Sequence, residues 1–187
     1  MIHPSDSHRE LAPSEWVVRY SELIAAGAHV LDLAAGHGRN ARFLASRGAR
    51  VLAVDRDASA LSTFAALPGV ETRVVDLEAG KWPFEGRRFD AIVAVNYLHR
   101  PLLPHLLLSL NDDGVVLYET FAAGNEAYGK PTNPDFLLAP GELLELARDA
   151  LTVVAFEQGV VTRDRTAVVQ RLAAVGRGRR WPPALPA

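Results

Sequence analysis

Short apolar segments alternate along the chain with longer segments in which apolar residues recur at helical spacing. The first pattern is typical of buried β-strands, and the second is typical of helices with one buried face. The predicted strands cover residues 29–33, 50–55, 70–75, 89–95 and 115–119. The predicted helices cover residues 13–26, about 39–47, a stretch ending near 66, and the region after Pro101, which leads to a turn at 111–114. This alternation predicts an α/β fold in which helices cover both faces of a parallel sheet.

The regular alternation ends at residue 121. Residues 121–139 contain glycines and prolines with no clear period, and they carry three aromatic side chains. A loop of this length is usually a binding segment or a lid, or else disordered, and the aromatic residues favour the first interpretation. A helix is expected from Pro140 to about residue 149. The segments 151–161 and 166–175 are rich in β-forming residues and predict an antiparallel hairpin.

Size and composition favour one globular domain. The chain has 187 residues and a net charge of −2, so we expect a single domain over 13–175, a flexible N-terminus over 1–12 and a flexible basic, proline-rich tail over 176–187. There are no cysteines, and the histidines lack metal-ligand spacing, so no metal is expected. No apolar run reaches the ~18 residues of a membrane helix and the first residues do not resemble a signal peptide, so we expect no membrane contact and a cytoplasmic location.

Three aspartates follow the first three predicted strands: Asp32, Asp55 and Asp76. Because the carboxyl ends of parallel strands meet at one edge of the sheet, these side chains are expected to share one crevice. Gly36 and Gly38 lie between Asp32 and the next helix, where they allow positive φ and close approach of a ligand to the backbone. The sequence therefore predicts a site for a nucleotide-like ligand.

The charge of the loop favours one kind of nucleotide over another. Asp32, just before the glycines, would repel a pyrophosphate but attract a cationic ligand such as S-adenosylmethionine (SAM). Arg39 argues in the opposite direction, because it could bind a phosphate. Ala41 stands where a dinucleotide-binding loop often has its third glycine, although alanine is an accepted variant there. The loop sequence therefore does not exclude a dinucleotide as the ligand.

These motifs resemble those of the class I SAM-dependent methyltransferases. The resemblance covers roughly residues 13–175, is carried by residues 30–40, 51–55, 74–77 and 89–96, and is strongest to small bacterial members of the tellurite-resistance type. It implies a Rossmann-like three-layer sandwich with a mostly parallel seven-stranded sheet in the order 3-2-1-4-5-7-6, with strand 7 antiparallel. It also implies SAM as the methyl donor. The cofactor-binding residues expected on this basis are Arg19, Asp32, Ala34, Gly36, Gly38, Asp55, Arg56, Asp76, Leu77 and Asn96.

Within that resemblance, Asp32 and the glycines would hold the methionine part, Asp55 the ribose, and Asp76 with Leu77 the adenine. Asn96 would lie close to the transferred methyl group, and Arg19 would reach the cofactor carboxylate.

Candidate catalytic residues follow the later strands. His99 is a candidate general base and Arg100 a candidate anion clamp, although both also suit an ordinary strand–helix junction. Glu119 could be a base or bind a substrate ammonium group, or it could cap the loop. Tyr128 lies in the long loop and could shape an acceptor pocket. No acceptor-specific motif is present, because residues 96–99 do not match the Asn-Pro-Pro-Tyr of amino-methylating enzymes.

A small-molecule methyl acceptor is expected, because the chain is too short for a separate recognition domain and has no basic face. Nucleic acid is not expected as a partner, and the sequence does not indicate an oligomeric state. Three other functions stay open: an RNA methyltransferase that uses the arginines of 177–180, an NAD(P)-dependent oxidoreductase, and a non-catalytic SAM-binding regulator.

Overall fold

A computed structural model describes residues 12–162 and 166–184. The predicted flexible N-terminus lies outside this part of the chain except for Ala12, and so do residues 163–165 and the last three residues of the predicted tail, 185–187. The strands are β1 (His29–Leu33), β2 (Arg50–Asp55), β3 (Val70–Val74), β4 (Phe89–Val95), β5 (Leu110–Phe121), β6 (Leu151–Thr162) and β7 (Thr166–Gly176). They form one sheet in the order β3-β2-β1-β4-β5-β7-β6, as predicted. The first five strands are parallel, whereas β7 runs antiparallel to β5 and β6.

The helices lie between the strands. They are α1 (Glu15–Tyr20), α2 (Arg39–Ser46), α3 (Ala58–Ser62), α4 (Leu103–Leu108) and α5 (Glu142–Ala147), with 3₁₀ turns at Ser21–Leu23, Arg100–Leu102, Asn125–Ala127 and Pro134–Phe136. Side-chain caps fix two of the starts. The Ser14 hydroxyl accepts from the backbone of Trp16 and Val17, and the Asp57 carboxylate accepts from the second and third residues of α3. Such caps satisfy backbone donors that have no partner within the helix.

Three helices are shorter than predicted, and the one expected to end near residue 66 ends at Ser62. The helix predicted over 13–26 ends at Tyr20 and tightens into a 3₁₀ turn, in which the Ser21 hydroxyl donates to the carbonyl of Val18 at 2.8 Å. The helix expected from Pro140 begins at Glu142, because Gly141 adopts a left-handed φ of 76° before it. The local hydrogen bond of Ser21 at the end of α1 and the backbone conformation of Gly141 at the start of α5 therefore set these helix boundaries, and the apolar spacing does not.

β5 begins earlier and ends later than predicted. Leu110 already pairs with Phe89, and the register then shifts, so residues 111–114 form an irregularity within the strand instead of a separate turn. Contacts along this segment hold it in place: the Asn111 side chain donates to Asp90 at 2.7 Å, and the backbone N–H of Gly178 donates to the Asp112 carbonyl at 2.8 Å.

Two apolar clusters, one on each face of the sheet, make the molecule three layers deep. On one face, strand residues such as Val30 and Val93 pack against α1, α2 and α3. On the other face, Leu31 and Ile92 pack against α4, α5 and the segment that carries Trp82 and Phe84. Alternate residues of each central strand supply the two clusters, as expected for a strand buried on both sides.

The segment after β7, predicted to be a flexible tail, is held over its first residues. The Arg177 guanidinium donates to the carbonyl of Arg148 at 3.1 Å, and the Arg179 guanidinium donates to that of Leu23 at 2.7 Å. In the described ranges, no helix has the length and apolar character needed to cross a membrane.

Candidate cofactor site

A pocket of about 270 Å³ opens at the carboxyl ends of β1, β2 and β4, beside the segment that follows β3. The parallel register brings these strand ends together, since Leu33 lies beside Val54 and Asp55 beside Val74. The lining residues are Ala34, Asp55, Arg56, Val75, Asp76, Leu77, Glu78 and Tyr97. Five of these eight belong to the predicted cofactor-binding set.

The loop from β1 to α2 forms one side of this site. Ala34, Gly36 and Gly38 have φ values of 50°, 53° and 75°, a left-handed conformation that glycine adopts without strain. A Cβ at Gly36 would meet no atom within 4 Å, whereas a Cβ at Gly38 would come within 2.6 Å of the Phe64 ring. The first glycine therefore leaves open space for a ligand, and the second allows the loop to pack against the protein.

Asp55 ties the loop to the end of β2. Its Oδ2 accepts a hydrogen bond from the backbone N–H of Gly36 at 2.8 Å, and its Oδ1 accepts from that of Asp57 at 2.9 Å. Each carboxylate oxygen can accept a further hydrogen bond. Asp55 is thus held in one orientation while it keeps the capacity to bind ligand hydroxyl groups.

Asp32 is not part of the pocket wall. It is 1% exposed and lies on the face of the sheet covered by α1 and α2. Its Oδ2 has no hydrogen-bond partner within the described chain. Burial raises the pKa of Asp32 to about 7, although the backbone N–H of Ala41 and the charge of Arg39 oppose that rise. The crevice of three carboxylates expected from the sequence therefore has two at its surface, Asp55 and Asp76, and one buried beneath its loop.

The other residues predicted to bind the cofactor differ in their position relative to the pocket. Asp76 is exposed at the pocket and its Oδ1 accepts from the backbone N–H of Glu78 at 2.9 Å, while Leu77 is buried beside it. Asn96 follows β4 with a left-handed φ of 58°, and its backbone N–H donates to the carbonyl of Glu119 at 2.8 Å. Arg19 does not line the pocket, because its guanidinium pairs with Glu157 on β6 at 3.1 Å.

The candidate catalytic residues are not joined to one another by any hydrogen bond or ion pair among the described residues. His99 is half-buried at the start of the 3₁₀ turn after β4, and Tyr128 is half-exposed in the long loop. The Glu119 carboxylate pairs with the Arg171 guanidinium at 2.7 Å and accepts from the Ser14 hydroxyl at 3.3 Å.

Arg100, considered as an anion clamp, is occupied within the protein. Its guanidinium pairs with Glu142 at 2.7 Å and donates to the carbonyls of Asp135 and Leu137 at 2.8 and 2.7 Å. It therefore fastens the long loop and α5 to the end of β4.

Three pocket residues were not predicted from the sequence: Val75, Glu78 and Tyr97. Glu78 lies two positions after Asp76. The sequence predicts where the third strand ends, but it does not predict which of the following side chains face the crevice. Tyr97 follows Asn96, and its position does not mark it as a pocket residue, because an aromatic side chain after a buried strand usually belongs to the core.

Comparisons with known proteins give a domain match over part of the chain and several similar folds. Residues 30–111 match the family described as a methyltransferase domain. No curated protein sequence matches the chain. TehB from Haemophilus influenzae has a similar structure, with a TM-score of 0.77 at 20% identity over 92% of this chain. This chain spans 65% of the length of that protein.

Two further solved structures share the fold. A TehB-like SAM-dependent methyltransferase from Corynebacterium glutamicum has a TM-score of 0.63 at 19% identity, over 92% of this chain and 96% of its own. Coclaurine N-methyltransferase, bound to N-methylheliamine and S-adenosylhomocysteine (SAH), has a TM-score of 0.60 at 18% identity, over 82% of this chain and 51% of its own.

The methyltransferase-domain match over residues 30–111 and the sheet order agree with the predicted resemblance to class I SAM-dependent methyltransferases. The fold is shared with the TehB-like structures.

Proposed function

We propose that this protein transfers a methyl group from SAM to a small-molecule acceptor, and that the pocket at the ends of β1, β2 and β4 holds the cofactor. The observation that carries the proposal is the pocket itself, where Asp55 and Asp76 lie beside a glycine loop with open space at Gly36. When bound, SAM supplies a methyl group on a sulfonium centre, which an acceptor takes by in-line displacement.

The residues present fit that cofactor. Asp55 is oriented by Gly36 and can bind the ribose hydroxyls, and Asp76 with Leu77 can hold the adenine. Among the described residues that line the pocket, Arg56 is the only basic one, so the pocket is better suited to an uncharged nucleoside with a cationic substituent than to a pyrophosphate. The unpartnered oxygen of Asp32 beneath the loop adds a potential negative charge that favours the same ligand.

His99 is the better general base of the candidates. Its imidazole takes part in no hydrogen bond in the part of the chain that the structure describes, whereas the Glu119 carboxylate is already paired with Arg171. A neutral imidazole nitrogen can accept the proton that an acceptor hydroxyl or ammonium group loses as it is methylated. The chain's other task is to hold donor and acceptor in line, which reduces the entropy cost of the reaction.

The C-terminal arginines are occupied by hydrogen bonds within the protein, which favours a small acceptor over RNA. Arg177 and Arg179 donate to carbonyls of the protein itself, and the net charge is −2. A phosphate backbone is normally bound by several unoccupied arginine or lysine side chains. The tail therefore gives little support for a nucleic-acid substrate.

Calorimetric titration of SAH into Asp55→Asn tests the proposed site. The substitution keeps the shape of the side chain but removes its charge, so the dissociation constant for SAH should rise by at least about tenfold. Asp112→Asn is the matched control, because that carboxylate is exposed on β5 outside the pocket. Equal SAH affinity in the two variants would show that the ribose is held elsewhere.

A further inference from the structure

The hydroxyl group of Tyr97 is the feature of the cofactor pocket that packing leaves unexplained. Tyr97 lines the pocket, yet its hydroxyl oxygen is shielded from solvent and has no hydrogen-bond partner among the described residues. A buried hydroxyl without a partner destabilises a folded protein, and phenylalanine would fill the same space without that cost. The hydroxyl is therefore poorly explained by a role in the core alone.

The backbone of Tyr97 is held firmly in place. The residue before it, Asn96, has a left-handed φ of 58°, a strained conformation for a residue other than glycine. The Tyr118 hydroxyl donates to the Tyr97 carbonyl at 2.8 Å, and Tyr118 is itself fully buried. The Tyr97 ring also packs against the apolar cluster that contains Leu98 and Leu102. These contacts direct the Tyr97 side chain toward the pocket.

The surroundings of the hydroxyl keep it a hydrogen-bond donor. Burial raises the pKa of Tyr97, and the negative charges of Glu78 and Asp76 raise it further. The phenol therefore stays protonated at neutral pH. Tyr97 and Val75 pack against the same apolar cluster, which contains Leu77, and all three residues line the pocket. The Tyr97 side chain therefore lies toward the end of the pocket that the proposed function assigns to the adenine base.

We propose that Tyr97 is a cofactor-binding residue. Its ring lines the end of the pocket assigned to the adenine base, and its hydroxyl donates a hydrogen bond to the bound nucleoside. The inference rests on the proposed SAM site and adds a neutral donor to a pocket whose other polar side chains are mainly carboxylates. Ligand binding, with a rotation of the Tyr97 side chain that brings the hydroxyl to the pocket surface, then supplies the partner that the hydroxyl lacks in the free protein.

Tyr97→Phe tests the proposal, because it removes the hydroxyl and keeps the ring. Titration calorimetry should show about five- to tenfold weaker binding of SAH to this variant than to the wild type. The melting temperature of the ligand-free variant should equal or exceed that of the wild type, since an unpaired buried group is removed. A purely structural tyrosine would give unchanged SAH affinity, and that result would overturn the proposal.

Titration with 5′-methylthioadenosine shows which part of the cofactor the Tyr97 hydroxyl contacts. This compound keeps the nucleoside but lacks the amino-acid part, so Tyr97→Phe should weaken its binding by the same factor as for SAH. A loss confined to SAH would contradict a contact at the base end.

Two controls separate this inference from the function on which it rests. Tyr20→Phe removes a hydroxyl from a buried tyrosine that packs on Trp16, outside the pocket, and should leave SAH affinity unchanged. Absence of SAH binding to the wild-type protein would refute the proposed function itself. Tight SAH binding to both the wild type and Tyr97→Phe would refute only the role of Tyr97.

Discussion

Asp32 shows how far the environment of one residue changes its chemistry. The side chain lies beneath the glycine loop, and one of its oxygens has no partner in the described chain. Because water is excluded, the charged form is disfavoured and the pKa of Asp32 rises from 3.8 to about 7. At neutral pH, the free protein therefore contains both the protonated and the ionised form of this side chain.

This pKa predicts a specific dependence of stability on pH. Between about pH 4 and pH 7 the folded protein keeps a proton on Asp32 that the unfolded chain has lost, so stability falls as the pH rises through that window. Asp32→Asn removes the ionisation and should stabilise the ligand-free protein more at pH 8 than at pH 5, by up to a few kcal/mol. Urea unfolding of both proteins at the two pH values measures this difference. An identical effect of the substitution at both would contradict the raised pKa.

At the level of single residues, the sequence was sufficient to predict the location of some candidate site residues but not of others. Asp55 and Asp76 could be predicted because each follows a parallel strand, and such strand ends meet at one edge of the sheet. The burial of Asp32 and the engagement of Arg19 by Glu157 depend on how α1 and α2 pack over the sheet. Strand spacing alone carries no information about that packing.

At the level of elements, a row of charged side chains joins three strands and a helix. Arg171 on β7 lies opposite Glu119 on β5 and Glu157 on β6, and pairs with them at 2.7 and 3.1 Å. Arg19 on α1 also pairs with Glu157. The side chains of Arg171 and Glu119 are only 15% and 13% exposed, so the row fastens the C-terminal hairpin to the central sheet.

The two arginines of this row should contribute unequally to stability. Arg171→Ala leaves Glu119 nearly buried without its cation, and should lower the free energy of unfolding by about 3 kcal/mol. Arg19→Ala breaks a pair whose side chains are 56% and 44% exposed, and should lower it by less than about 1 kcal/mol. Denaturant unfolding of both variants provides the comparison, and equal losses would show that burial of the inner pair contributes nothing.

The long loop depends on one residue from another element. Arg100 is held by Glu142 and by two loop carbonyls. Arg100→Gln should therefore expose the segment around residues 124–134 to limited proteolysis, and SAH affinity should change little because Arg100 does not line the pocket. Cleavage at the wild-type rate would mean that the other contacts of the loop, such as the hydrogen bonds of the Asn125 side chain, are enough to hold it.

At the scale of the whole molecule, the order of the sheet followed from the resemblance, which the alternation of strands and helices and the final hairpin support. The structure confirms that order. The ends of several elements did not follow from the resemblance. α1 stops at Tyr20, where the Ser21 hydroxyl makes a local hydrogen bond, and β5 continues through residues 111–114 because of contacts with distant parts of the chain. Those contacts form only in the folded protein.

The charge of the pocket connects the fold to the choice of ligand. Two carboxylates and only one arginine face it among the predicted cofactor residues. A dinucleotide would bring its pyrophosphate toward these carboxylates, whereas SAM carries no phosphate and has a positive sulfonium. We therefore expect the pocket to bind SAM in preference to a dinucleotide.

Competitive titration of the wild-type protein with SAH and NAD⁺ tests this account most directly. We expect saturable heat of binding with SAH at one site per chain, and no saturable heat with NAD⁺ at the same concentrations. Binding of NAD⁺ without binding of SAH would contradict the assignment of the pocket to an adenosylmethionine cofactor.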